Sequence, residues 1–128
     1  MTTVADHNTL TGLSEEERGM VQEFVRRALE AYPDAIESIR LFGSKARGDA
    51  RPDSDIDLLV VVRDEEQEQD AAEKLVDIAY DLLEEYHYHS VLSIKTLPKR
   101  RVPQNRLSGD PFVKNIQREG KYVWKRKA

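Results

Sequence analysis

Residues 41–62 read LFGSKARGDARPDSDIDLLVVV, so two glycines, an acidic cluster and an apolar run lie within one short stretch. Gly43 and Gly48 have the G-x-x-x-x-G spacing of a nucleotide-binding P-loop, but that motif continues with Lys and Ser or Thr, whereas this chain continues with Asp and Ala. The aspartates match positions one, three and five of a calcium-binding loop, but the sixth position requires Gly and is Leu58 here. The stretch is therefore neither a P-loop nor an EF-hand.

The acidic cluster leads into an apolar run that begins at Ile56 and is typical of a strand buried on both faces. Side chains two positions apart on a strand point the same way, so Asp55 and Asp57 are predicted to project from one face. Paired carboxylates are a site for Mg²⁺, which usually completes its coordination shell with water and substrate phosphates. The alternative is an ordinary turn at residues 53–55, with Asp57 reaching solvent at a sheet edge.

The segment before the aspartates predicts a phosphate-binding turn. Residues 35–42 partly alternate apolar and polar residues and predict a strand, and the next residues predict one helical turn that ends at Gly48. Backbone N–H groups at a helix start attract anions, and a serine hydroxyl adds a further donor. The candidate phosphate-binding residues are Gly43 and Ser44, with positive charge nearby from Lys45, Arg47 and Arg51.

Gly43-Ser44, followed after ten residues by Asp55-x-Asp57, resembles the signature of the DNA polymerase β-type nucleotidyltransferase superfamily. The string GSKARGDARPDSDIDLLV is similar in particular to the minimal nucleotidyltransferases, small proteins of prokaryotes. The resemblance covers residues 41–62 directly. It implies an α+β fold with helices packed on a mixed β-sheet, catalysis by Asp55 and Asp57 with Mg²⁺ as cofactor, and ATP or another nucleoside triphosphate as substrate.

The chain departs from this family pattern on its third predicted strand, Ser90 to Leu97, which contains no Asp or Glu. Superfamily enzymes ordinarily carry a third carboxylate there, and Ser93 is the residue we expect near that position. A hydroxyl is a poor Mg²⁺ ligand and a poor proton acceptor at neutral pH. His87 and His89 precede the strand and are either substitute ligands or bases, or simply solvated polar residues.

The rest of the chain predicts a single domain. With 128 residues and no cysteine, the sequence predicts a flexible tail over residues 1–12 and one domain over residues 13–128, without disulfides or thiolate metal sites. The absence of a membrane-spanning stretch and of a secretory signal predicts a cytoplasmic protein with no membrane partner.

Helices and strands are predicted to alternate along this domain. Ser14 and Glu17 form a capping-box pattern for a first helix. A second helix is predicted over residues 66–86, a short one from Pro111 to Gly120, and a final short strand over residues 122–124.

Charge is unevenly distributed along the chain. Residues 1–94 contain 9 Lys or Arg and 22 Asp or Glu, whereas residues 95–128 contain 11 and 2. The basic clusters at 99–101 and 125–127 either hold phosphates, RNA or an acidic partner, or balance an acidic body as solvated surface. The acidic run at residues 64–70 is either an interaction patch or a solvated first helical turn that the helix dipole favours.

Two functional hypotheses follow from the sequence. The first is Mg²⁺-dependent transfer of a nucleoside monophosphate, AMP from ATP, to a hydroxyl of a protein or of a nucleic acid such as RNA or tRNA. The second is a catalytically weakened nucleotide-binding domain that docks to a partner. The resemblance implies a HEPN-domain protein as that partner, in a toxin-antitoxin pair. A chain of this length has little room for a large acceptor-binding domain, so specificity would come from a partner or from a homodimer.

Overall fold

The computed structural model describes residues 3–4, 12–49, 51, 54–102 and 111–127. Helices and strands alternate along these residues, as the sequence predicts. The helices are α1 (Glu15–Ala31), α2 (Ser44–Arg47), α3 (Glu68–Glu85) and α4 (Pro111–Glu119). The strands are β1 (Thr3–Val4), β2 (Ile36–Phe42), β3 (Ile56–Val62), β4 (Leu92–Pro98) and β5 (Lys121–Lys125).

The strands form one mixed sheet in the order β1-β5-β2-β3-β4. β3 pairs antiparallel with β2 and parallel with β4, and α3 makes the connection that a parallel pair requires. β5 returns from the end of the chain and pairs antiparallel with β2 on the side opposite β3. The fold is α+β with helices packed on a mixed sheet, which confirms the predicted class.

The two faces of β3 contribute to two separate apolar clusters. Leu58 and Val60 belong to the larger cluster, together with the inner faces of α1 and α3. Leu59 and Val61 belong to the smaller cluster, which includes the inward side chains of α4. Burial on both faces explains why this strand is almost uniformly apolar after Asp57. Because β3 is packed on both faces, the aspartates at its start are held in a fixed position relative to the core.

Local signals in the sequence correctly predict the start of α1. Ser14 Oγ accepts a hydrogen bond from Glu17 N at 3.1 Å, and Glu17 Oε1 accepts one from Ser14 N at 2.9 Å. This reciprocal pair is the capping box that the two residues predict.

Two residues of the predicted N-terminal tail, residues 1–12, lie in the sheet: Thr3–Val4 forms β1 and pairs antiparallel with β5. The flexibility of the tail stays a prediction. β5 would otherwise present unpaired backbone groups on that side, and the two added residues pair with Trp124 and Lys125. Gly12 is also in contact with the body of the domain through the backbone of Lys45.

The acidic and basic clusters partly face each other. Arg100 Nη1 lies 2.9 Å from Glu65 Oε1 and 3.7 Å from Glu68 Oε2, at the start of α3. Lys99 Nζ lies 3.6 Å from Glu37 Oε1. These exposed pairs contribute little stability, but they neutralise part of the basic cluster at residues 99–101 with acidic residues from the first part of the chain. Within the described ranges, no helix has the length and apolar character needed to cross a membrane.

Candidate active site

The fold brings the two halves of the 41–62 motif into direct contact. Phe42 at the end of β2 is the Cα partner of Asp57 at the start of β3, so Gly43 begins its turn beside that carboxylate. A Cβ atom added to Gly43 would lie 2.4 Å from Asp57 Oδ2. Since real Cβ atoms do not approach an oxygen so closely, only glycine leaves this carboxylate in its place. The predicted proximity of the phosphate turn and the carboxylate pair is therefore realised in the structure.

The turn after Gly43 has the backbone geometry that the sequence predicts. Gly43 has φ +75° and ψ −158°, a conformation essentially restricted to glycine. Its carbonyl accepts hydrogen bonds from the N–H groups of Ala46 and Arg47, both at 3.1 Å. α2 then ends at Gly48, which is left-handed with φ +83°. The first N–H groups of α2 lack intrahelical acceptors, and Ser44 is only partly buried, so this end can bind an anion.

Asp55 and Asp57 repel each other electrostatically. Burial raises the pKa of Asp57 above its ordinary value, and the neighbouring charge of Asp55 raises it further, while Arg47 acts in the opposite direction. Asp55 is exposed and Asp57 is partly buried. A divalent cation would relieve the repulsion between the two carboxylates, and oxygen is the ligand atom that Mg²⁺ prefers. The residues present therefore fit a magnesium ion.

Two arginines flank the carboxylates. Arg47 lies at the end of α2, where Nε donates to Asp49 Oδ2 at 3.3 Å and Nη1 lies 3.6 Å from Glu119 Oε2. Its side chain is 44% exposed, so these bonds can exchange for bonds to a phosphate. Arg51 is exposed, and its backbone exchanges two hydrogen bonds of 3.0 Å with Ser54, directly before Asp55. Both arginines remain candidates for binding the triphosphate.

Lys45 is placed differently from the other predicted phosphate ligands. Its side chain is only 6% exposed, and Nζ lies 2.8 Å from Glu17 Oε2. An ammonium group that is buried and already paired does not face the open side of the turn. The Lys45 side chain therefore pairs with Glu17 and is not one of the phosphate ligands, contrary to the prediction. The sequence reveals Glu17 as a capping residue but carries no local signal that it pairs with a lysine 28 positions later.

Ser93 lies where the sequence predicts it. It is exposed and is the Cα partner of Asp57 on the neighbouring parallel strand, so it occupies the position expected for a third carboxylate. Among the described residues, no group of three or more His, Cys, Asp or Glu could hold a metal ion. His89 Nε2 lies 3.5 Å from Glu16 Oε2, at the start of α1, and His87 adopts a left-handed backbone after α3. Neither histidine completes a metal-binding group with the aspartates.

A groove of about 280 Å³ opens beside the carboxylates, between α3 and β4. Asp55 and Ser93 contribute polar side chains to its lining. Its walls are mainly apolar and come from both elements: Val76, Ala79, Tyr80, Leu83, Val91, Leu92 and Ile94. Sequence periodicity places Ala79 and Leu83 on the inner face of α3, but it gives no sign that this face is left partly open toward Asp55.

Comparison with known proteins matches most of the chain to one family. The family model of the nucleotidyltransferase domain matches residues 21–123. A protein of Methanocaldococcus jannaschii, provisionally named a protein adenylyltransferase, is 47% identical over 45 residues, which cover 35% of this chain and 45% of that protein. The chain thus matches less than half the length of this curated relative.

A solved structure shows a similar fold. The crystal structure of a protein from Sulfolobus solfataricus, provisionally named a nucleotidyltransferase, superimposes with a TM-score of 0.50 and 22% identity over 85% of this chain and 80% of that one. A toxin-antitoxin crystal structure with AMP-PNP gives a TM-score of 0.47 and 21% identity over 83% of this chain and 74% of that one.

Proposed function

Because the chain belongs to the nucleotidyltransferase domain family, we propose that it transfers a nucleoside monophosphate, AMP from ATP, to a hydroxyl group of an acceptor. The observation that carries this proposal is the direct approach of Asp57 to Gly43. This contact places a carboxylate pair, which can hold a cation, next to a turn whose N–H groups can bind a phosphate. These are the two parts that transfer of a phosphoryl-linked group requires.

Each residue of the site has a distinct role in this proposal. Asp55 and Asp57 would hold Mg²⁺, which when bound supplies charge neutralisation to the triphosphate and to the leaving pyrophosphate. Gly43 and Ser44 bind the β- and γ-phosphates through backbone N–H groups and the serine hydroxyl. Arg47 stabilises negative charge that develops as the pyrophosphate leaves.

The acceptor hydroxyl enters, in this proposal, from the groove between α3 and β4. Asp55 and Ser93 both line the groove, so a group held there lies beside Asp55. The walls are apolar, and the exposed side of α3 carries acidic residues that repel a phosphate backbone: Glu73, Asp77, Asp81 and Glu84. We therefore favour a protein over RNA or tRNA as acceptor.

Docking to a partner protein is the second candidate function. Four large apolar side chains on and beside α3 are well exposed: Val76 at 37%, Tyr80 at 66%, Tyr88 at 70% and Val91 at 42%. Val76, Tyr80 and Val91 line the same groove, and exposed apolar groups that lie together are typical of interaction surfaces. A HEPN-domain partner, as the sequence resemblance implies, would cover this surface without requiring transfer. A homodimer formed through the same surface is the other form of this candidate.

Label transfer from α-phosphate-labelled ATP tests the enzymatic proposal. The protein is incubated with Mg²⁺ and with proteins and RNA from the source cell, and labelled products are separated. We expect label on one protein acceptor with the wild type and at least a 100-fold loss in the Asp55→Asn, Asp57→Asn double variant. Removal of Mg²⁺ by a chelator should give the same loss.

A matched control changes charge without touching the site. The Asp34→Asn, Glu66→Gln double variant neutralises two exposed carboxylates near the opposite end of β2 and β3, and it should transfer label like the wild type. If a wild-type sample that binds Mg·ATP labels no acceptor, transfer is contradicted and the docking function is favoured. Label on RNA alone would contradict the choice of a protein acceptor.

A further inference from the structure

A buried ion pair lies directly behind the phosphate-binding turn. Lys45 Nζ lies 2.8 Å from Glu17 Oε2, and each side chain is 6% exposed. Lys45 immediately follows Ser44, and both belong to α2. Charges are seldom buried unless each has a partner, so the two side chains determine each other's position.

The Glu17 carboxylate is itself held by three groups. Besides Lys45, the backbone N–H of Ser14 donates to Oε1 at 2.9 Å, and Ser90 Oγ donates to Oε2 at 3.4 Å. Burial raises the pKa of Glu17, but the hydrogen bonds from Lys45 and Ser14 outweigh burial and leave the pKa below its ordinary value. The carboxylate is therefore ionised at neutral pH and fixed to the first turn of α1.

The backbone makes a second contact at the same place. A Cβ atom on Gly12 would lie 1.9 Å from the carbonyl oxygen of Lys45, so the chain before α1 packs directly against α2. α2 has only four residues, and a helix this short is not stable without tertiary contacts. The segment from Gly12 to Glu17 supplies such contacts through both the backbone and the side chain of Lys45.

We propose that Glu17 and Lys45 are positioning residues that hold α2 in the orientation in which Gly43 and Ser44 bind the triphosphate. The pair acts through the turn and does not touch the nucleotide. The expected effect of the pair on nucleotide binding rests on the proposed function. The rigidity that the pair gives to α2 can be measured without nucleotide.

The test compares two ways of removing the pair. Lys45→Met alone leaves Glu17 buried without a partner and should strongly lower the melting temperature. The Glu17→Gln, Lys45→Met double variant removes both charges but keeps a side-chain oxygen for the capping bond from Ser14 N–H, and it should melt closer to the wild type than Lys45→Met does. We expect it to bind a non-hydrolysable Mg·ATP analogue at least tenfold more weakly, with little change in kcat at saturating ATP.

Amide hydrogen exchange measures the turn directly. In the nucleotide-free protein, the N–H groups of Ala46, Arg47 and Gly48 close α2, and we expect them to exchange at least tenfold faster in the double variant. Val62→Ala, at the far end of β3, is the control for a general loss of stability and should change neither these exchange rates nor analogue affinity. Lys45→Arg keeps the cation and should preserve both, which provides a test even if the double variant fails to fold.

The outcomes separate this inference from the proposed function. A folded double variant with unchanged exchange and analogue affinity would overturn the positioning role, as would Lys45→Arg behaving like Lys45→Met. If the wild type does not bind the analogue, the proposed function fails, and the exchange rates alone still decide whether the pair holds the turn.

Discussion

Replacing Gly43 with alanine should damage the site far more than the stability of the fold. The added Cβ atom would lie 2.4 Å from Asp57 Oδ2, so the carboxylate must move to make room. The carboxylate is the end of a side chain, and moving it costs the fold little. The strain comes instead from the backbone, because φ +75° with ψ −158° is a conformation that alanine rarely adopts. Such strain costs about 1–3 kcal/mol.

The functional loss should be larger than this strain. A displacement of about 1 Å in a reacting or metal-binding group can lower the rate by roughly 100-fold. We therefore expect Gly43→Ala to unfold in urea with a free energy about 1–3 kcal/mol below that of the wild type. Calorimetric titration with Mg²⁺ should show weakened binding, and label transfer should fall by about 100-fold.

Gly48→Ala is the matched control. Gly48 also has a positive φ, +83°, but a Cβ atom there has no neighbour within 4 Å. This variant should lose about 1–2 kcal/mol through left-handed backbone strain. Its Mg²⁺ binding should match that of the wild type. The reasoning is refuted if Gly43→Ala keeps wild-type Mg²⁺ binding and transfer, or if Gly48→Ala loses both to the same extent.

Two further predictions concern the neighbouring strand and the surface of α1. Ser93→Asp adds a carboxylate beside Asp57 and should raise the rate of Mg²⁺-dependent transfer by at least tenfold. General-base catalysis typically contributes a rate factor of roughly 10²–10⁴. An equal rate increase in Ser93→Asn would contradict this prediction. Hydrogen bonding from Arg26 lowers the pKa of Glu23 to about 2, although partial burial opposes the shift and Arg27 adds to it. The ionised Glu23 therefore stabilises the fold fully above pH 4.5, and this contribution is lost as the pH falls toward 2. Glu23→Gln should therefore lower the unfolding free energy in urea by about 0.5 kcal/mol at pH 7 and by progressively less below pH 4.5, and a deficit independent of pH would argue against the ion pair.

Local sequence patterns predicted the elements that build the site. The reciprocal bonds of Ser14 and Glu17, the helical turn that ends at Gly48 and the doubly buried strand after Asp57 all depend on residues only a few positions apart. The family resemblance rests on residues 41–62, and the match to the nucleotidyltransferase domain family confirms it. The prediction that Asp55 and Asp57 share a metal depends on the alternation of a strand, and it stays a prediction.

The sequence correctly anticipated one longer-range relation. Ser93 was expected near the position of a third carboxylate because the resemblance implies that such a residue lies on a later strand beside the two aspartates. The register confirms that it lies beside Asp57. The family pattern thus carried information that the spacing of the residues alone does not contain.

The tertiary structure decided the rest. β5 pairs between β1 and β2, and the side chain of Lys45 turns inward to Glu17 instead of outward to a phosphate. A lysine in a single helical turn has the same local pattern whether it faces solvent or a buried carboxylate. The choice depends on which distant segment packs behind it. Short-range patterns thus determined the elements and the chemical groups of this protein, whereas the packing of segments far apart in sequence determined which groups face the site.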